Sequence, residues 1–157
     1  MQLNRLLLYS TTQMMGLHAG SAMRWIAVSL IVNVCLCSSA MAGDMEDSAK
    51  KTAREWLRQI DAGEYSRSWE ESASLFKGTV LRKDWVDTLE KHRAPLGKVI
   101  SRKFEQADYT DELPGVPKGD YVVIRIVTRF EHGPMAAETI TPMLEDGRWR
   151  VAGYAVW

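Results

Sequence analysis

Glu138, Tyr154 and Arg102 are the side chains of this sequence best suited by type and placement to acid–base chemistry. A carboxylate at Glu138 is a candidate general base. The Tyr154 phenol and the Arg102 guanidinium are candidate donors to a developing negative charge. Such a site requires the carboxylate and a donor to converge on one deep pocket. Each residue also has a plainer structural role. Arg102 interrupts a strand face carrying Ile100 and Phe104, and Glu138 interrupts one carrying Ile140 and Leu144. Continuous strand parity points both toward the side that holds Val122 and Ile124. Opposite charges on an apolar face must pair or reach water. A structural salt bridge, or two rim residues at opposite sheet edges, is the favoured reading. One intervening strand would hold their backbones roughly 10 Å apart. Tyr154 lies between Gly153 and Ala155, which leave space around it; a core tyrosine with a satisfied hydroxyl is the expected role.

Other chemistries have no foothold. His92 and His132 are the only histidines after residue 42, and they lack metal-ligand spacing. A helix end and a turn explain them, and His92 suits the negative end of a helix dipole. Nucleophile elbows, phosphate loops, dinucleotide fingerprints and zinc motifs are absent from the sequence. Glu70, Glu71 and Asp146 are carboxylates without a matched partner. No metal and no cofactor are expected.

The elements that must position these groups read clearly. Ala49, Ala53, Trp56, Leu57 and Ile60 recur at helical spacing, predicting a helix over 45–62 that Gly63 stops. A second helix is expected over Tyr65–Phe76, with Tyr65, Trp69, Ala73 and Phe76 inward and Gly78 ending it. A third spans about Arg82–Arg93, with Trp85, Val86 and Leu89 inward, before Pro95 forbids continuation. After Gly97 the period becomes two. Strands are predicted at Val99–Gln106, Tyr121–Phe130, Ala136–Leu144 and Arg148–Trp157, with a Pro- and Gly-rich loop over 108–119. Pro142 signals an edge or a bulge, and Asp146-Gly147 signals a tight hairpin. Helices first and strands last give an α+β fold, with three N-terminal helices packed on a curved four-stranded antiparallel sheet.

Compartment follows from the N-terminal stretch. Met23-Arg24 precedes an apolar run from Trp25 to Cys37, and Ser38-Ser39-Ala40-Met41-Ala42 supplies an Ala-x-Ala site. This is the order of a secretory signal, with cleavage expected between Ala42 and Gly43. Translation is expected to start at Met23, because residues 1–22 fit the signal poorly. The domain division is therefore 1–42 signal and 43–157 a single α+β domain. Cys35 and Cys37 follow Val34 and Leu36, so neither suits lipidation. Both leave with the signal, and the product is expected to have no thiol chemistry and no stable membrane anchor. Of the 20 basic residues, Arg5 and Arg24 precede residue 43, leaving 18 against 20 acids. That balance lacks the basic footprint of a nucleic-acid binder.

Several rare residues fall in a family's order. Trp56-Leu57, Asp61-Ala62-Gly63-Glu64-Tyr65 and Ser68-Trp69 resemble the opening block of bacterial domain-of-unknown-function family 4019. Later blocks match too: Arg93-Ala94-Pro95-Leu96-Gly97 with Ser101-Arg102; Pro114-Gly115 to Gly119-Asp120-Tyr121; and Glu138-Thr139 with Gly147-Arg148-Trp149-Arg150-Val151-Ala152-Gly153-Tyr154. The resemblance implies an exported protein similar in layout to nuclear transport factor 2-like, or cystatin-like, α+β proteins. It implies no particular reaction and no catalytic residues, and fold alone does not choose one.

The resulting expectation is a noncatalytic domain of the periplasm or secreted space. Its partner would be a small apolar ligand or another envelope protein, and a homodimer is compatible with it. The alternative is a small acid–base enzyme of isomerase or hydrolase type, using Glu138, Tyr154 and Arg102 on the concave sheet face. Five tryptophans follow residue 42. Packing is their expected role, with Trp69 and Trp149 as core anchors, ahead of a ligand-stacking platform.

Overall fold

A computed structural model describes residues 43–157. The expected signal, its Met23 start and the Ala42 side of the cleavage site lie outside the described residues. Helix α1 covers 43–61. It buries Ala49, Ala53, Trp56, Leu57 and Ile60, the stripe that its spacing predicts. Gly63 ends it at φ 75°, where the Glu64 N–H bonds the Gln59 carbonyl and the Gly63 N–H bonds that of Ile60. This left-handed cap satisfies carbonyls that the helix leaves free.

Among the described residues, four helices form where three were expected. The segment predicted as one helix is α2 (Tyr65–Glu70) followed by α3 (Ser74–Thr79). The break has a specific cause. Ala73 is extended, and its N–H donates to the Val151 carbonyl of the last strand at 2.8 Å instead of continuing the helical ladder. Ser72 Oγ donates to the Ser68 carbonyl and accepts from the Trp56 indole, so this corner is hydrogen-bonded throughout. Gly78 lies inside α3 rather than ending it. Helix α4 (Arg82–His92) buries Trp85 and Leu89 and passes into a 3₁₀ turn at Ala94–Leu96.

The sheet is an antiparallel meander in the order β1-β2-β3-β4, with β1 Val99–Thr110, β2 Tyr121–Phe130, β3 Met135–Glu145 and β4 Arg148–Val156. Strand β1 runs four residues beyond its expected end, because Ala107 to Thr110 pair with Ile124 to Tyr121. Its alternation is irregular in the sequence because the register shifts between Val99 and Ser101 and again between Phe104 and Gln106. Each bulge adds a residue and breaks the period of two. The first turns Ile100 out to solvent, off the face on which parity had put it beside Arg102. Pro142 marks a register shift in β3, as a buried strand proline should. Asp146 at φ 49° and Gly147 at φ 73° form the tight turn into β4.

One sheet face carries Val122, Ile124, Ile126, Ile140 and Val151. Together with the inner faces of α1, α3 and α4 these residues make the core. Trp56 and Trp85 stand at its centre, 3% and 6% exposed, with ring centroids 5.8 Å apart. Their indole N–H groups both end on Ser68, at its carbonyl and its hydroxyl. Trp69 and Trp149, the expected anchors, are only partly buried and pack against this core from outside. Trp69 instead directs its indole N–H to the Val80 carbonyl just after α3, at 2.7 Å. Among the described residues, no helix is long and apolar enough to cross a membrane.

Candidate functional site

Arg102, Glu138 and Tyr154 meet on the helix-covered face of the sheet. Arg102 on β1 lies opposite Thr128 on β2, and Glu138 on β3 lies opposite Ile126. The guanidinium therefore reaches diagonally over β2. Its Nε donates to Glu138 Oε1 at 3.0 Å and to Thr128 Oγ1 at 3.2 Å. From β4 the Tyr154 hydroxyl donates to Glu138 Oε2 at 2.7 Å. All four strands thus contribute one polar group to a row across an otherwise apolar face.

Two residues from the helical layer complete it. Asp61, in the last turn of α1, accepts from Arg102 Nη1 at 2.6 Å and from Nη2 at 3.1 Å. Arg93, following α4, donates to the same carboxylate at 2.9 Å and to the Gly97 carbonyl at 2.9 Å. Its guanidinium also lies 4.3 Å from the centre of the Phe130 ring, an attractive cation–π geometry. Two guanidinium groups and two carboxylates give formal neutrality within one hydrogen-bonded cluster. Sequence reasoning missed Asp61 and Arg93 as members. Asp61 carried a usable signal, since a carboxylate in the last turn of a helix opposes the macrodipole and needs a compensating cation.

Burial sets the electrostatics. Glu138 is 1% exposed, and its charge is matched by Arg102 rather than by water. For Arg102, burial lowers proton affinity, but hydrogen bonding to Asp61 and the nearby charges of Glu138 and Asp61 outweigh it, and the guanidinium is held more firmly protonated. Burial, followed by the charge and hydrogen bond of Glu138, pushes the Tyr154 phenol well above its ordinary range. A phenol so placed is a fixed hydrogen-bond donor. Its ring packs edge-on against Trp56 at 5.3 Å and Trp85 at 6.2 Å.

Beside this cluster lies an open cleft of about 580 Å³, between α4 with its 3₁₀ extension and the β3–β4 end of the sheet. Trp85, Leu89 and Leu96 line its helical side, and Met135, Val156 and Trp157 its strand side. Tyr154 and Arg93 belong to its wall, whereas Glu138, Arg102 and Asp61 do not. The candidate catalytic residues are therefore joined to one another without lining one common cavity. His92 and Thr88 stand exposed in the cleft wall; His132 is exposed in the β2–β3 turn and is not part of it. Among the described residues, no group of three or more His, Cys, Asp and Glu side chains is placed to hold a metal.

No curated protein matches the chain. A family model described as "Protein of unknown function (DUF4019)" matches residues 52–154, a span that contains Asp61, Arg93, Arg102, Glu138 and Tyr154. By that match over most of its length, the chain belongs to the DUF4019 family.

Proposed function

We propose that this protein is an exported, noncatalytic binding domain that takes a small apolar ligand into the cleft between α4 and the β3–β4 end of the sheet. The cleft carries the reading. Its volume of about 580 Å³ falls within the roughly 300–1,000 Å³ typical of small-molecule sites, which are also mostly apolar with few polar groups. The exposed rim side chains Met135 and Trp157, 66% and 69% accessible, leave large apolar surface at its mouth. The polar cluster supports the same reading from the other side. Glu138 has both oxygens engaged and no exposed surface to offer a substrate proton, which counts against a role as general base. Helices packed on one face of an antiparallel meander are compatible with a nuclear transport factor 2-like or cystatin-like layout. The Ala40-Met41-Ala42 site supports export to the periplasm or beyond.

The test uses N-phenyl-1-naphthylamine, a neutral apolar dye that brightens on leaving water. The full-chain product should enhance its fluorescence saturably. Thr88→Trp, which adds bulk from the exposed helical wall, should abolish the enhancement and leave the unfolding midpoint unchanged. Equal enhancement by both proteins, or none by the unsubstituted one, would contradict the proposal.

A further inference from the structure

The two edges of the sheet are not alike. With the order β1-β2-β3-β4, β1 and β4 each leave one side without a neighbouring strand. Such an edge is a ready template for another chain, and charges, bulges or a covering segment normally blunt it. Strand β1 carries two register shifts and the exposed charges of Lys103 and Glu105. The first part of β4 carries Arg148 and Arg150, and the Ala73 N–H covers it at the Val151 carbonyl. The last part, Gly153-Tyr154-Ala155-Val156, has neither charge nor proline. Ala137 and Trp157 exchange both backbone hydrogen bonds. Antiparallel ladders alternate, so Ala155 and Gly153 also turn their backbone groups to β3, opposite Thr139 and Thr141. Tyr154 and Val156 turn theirs to the open side. None of those four N–H and C=O groups has a partner among the described residues.

We propose that this open edge of β4 pairs with the same edge of a second copy of the chain, antiparallel about a twofold axis. Two identical antiparallel strands are self-complementary, as a twofold interface requires. Ala73 selects the register. Pairing Tyr154 with itself would set Trp157 of one copy beside Val151 of the other, where Ala73 already lies. Moving the axis to Ala155 avoids that position. Tyr154 of each copy then faces Val156 of the other, and all four open groups of each edge are paired. Trp157, 69% exposed, comes to lie opposite Gly153 of the second copy. Gly153 has no side chain to obstruct the indole, and an aromatic ring over a cross-strand glycine shields the bare backbone. The contact is short, so it belongs at the weak end of interfaces, below about 1,200 Å². It does not depend on a ligand in the cleft.

Sedimentation equilibrium of the unsubstituted exported product tests the association without any risk of misfolding. A dimer is expected at about 100 μM, a concentration suited to so small an interface. Ala155→Lys sets two like charges opposite each other at the axis and should weaken the dimer at least about tenfold. Position 155 also permits a test of register. Across the axis its two Cα atoms would stand about 4.5 Å apart, within disulfide range. No cysteine follows residue 42, so Ala155→Cys gives the product a single thiol. Under mild oxidation it should form a disulfide-linked dimer much faster than Lys103→Cys, whose thiol stands exposed on β1 and reports random collision. A product that stays monomeric at that concentration would overturn the proposal and leave the edge to an extended peptide of another protein. A dimer indifferent to Ala155→Lys, or a thiol at 155 that crosslinks no faster than one at 103, would overturn the assignment to β4.

Discussion

Glu138 accepts from Arg102 Nε at 3.0 Å and from the Tyr154 hydroxyl at 2.7 Å, and Arg102 in turn holds Asp61 at 2.6 Å. Charges in such a cluster stand or fall together. Replacing one partner leaves the other as an uncompensated buried charge, at a cost of roughly 3–5 kcal/mol. Glu138→Gln and Arg102→Met should each fall near that range, the second relieved in part because Asp61 keeps Arg93. In a urea-unfolding double-mutant cycle the pair should couple by at least about 1 kcal/mol; coupling near zero would contradict a structural role. Tyr154 adds a pH signature. Its phenol is raised in the folded state by burial and by Glu138. The unfolded chain ionises it near the ordinary value of about 10. Stability from the neutral phenol is therefore fully present below about pH 10 and falls as the pH rises above it. Tyr154→Phe should flatten that alkaline loss, measured as the urea midpoint between pH 9 and 11, at the expense of one donor to Glu138. Of this cluster, the sequence made Arg102, Glu138 and their shared face legible by strand parity alone. Asp61 and Arg93 were hidden because they arrive from helix ends, where no period announces the direction of a side chain.

At the scale of elements, strong periods were legible and their interruptions were not. The stripe of α1 and the alternation of β2 stand as their spacing predicts, because each buries one continuous face. The hairpin at Asp146-Gly147 was legible from turn chemistry, since both residues take positive φ. The α2–α3 corner was not, because it depends on a hydrogen bond from Ala73 to Val151, a partner far away in sequence. Nor were the two shifts in β1, which are set by pairing with β2. Burial decides which tryptophans carry stability. Trp56 lies in the core and donates to Ser68, whereas Trp149 is partly buried at its edge. Trp56→Ala should cost roughly 3–5 kcal/mol, the range for a large aromatic cavity. Trp149→Ala should cost less than about 2 kcal/mol, nearer an ordinary substitution. Equal losses in urea unfolding would show that the closing strand anchors the core as strongly as α1 does.

For the whole molecule, the sheet and its helices build two neighbouring features with different duties. A neutralised polar row fixes the four strands against the helical layer, and an open apolar cleft beside it offers room for a ligand. Tyr154 belongs to both, with its hydroxyl on Glu138 and its ring in the cleft wall. Family membership adds no reaction to this picture. Native mass spectrometry of the protein purified from the cells that make it tests the binding role most directly. The predicted spectrum is a chain beginning at Gly43 that carries a noncovalent small-molecule adduct, released on collisional activation and absent from Thr88→Trp isolated in the same way. A bare chain in every charge state, or an adduct of equal abundance on Thr88→Trp, would contradict a ligand-binding cleft.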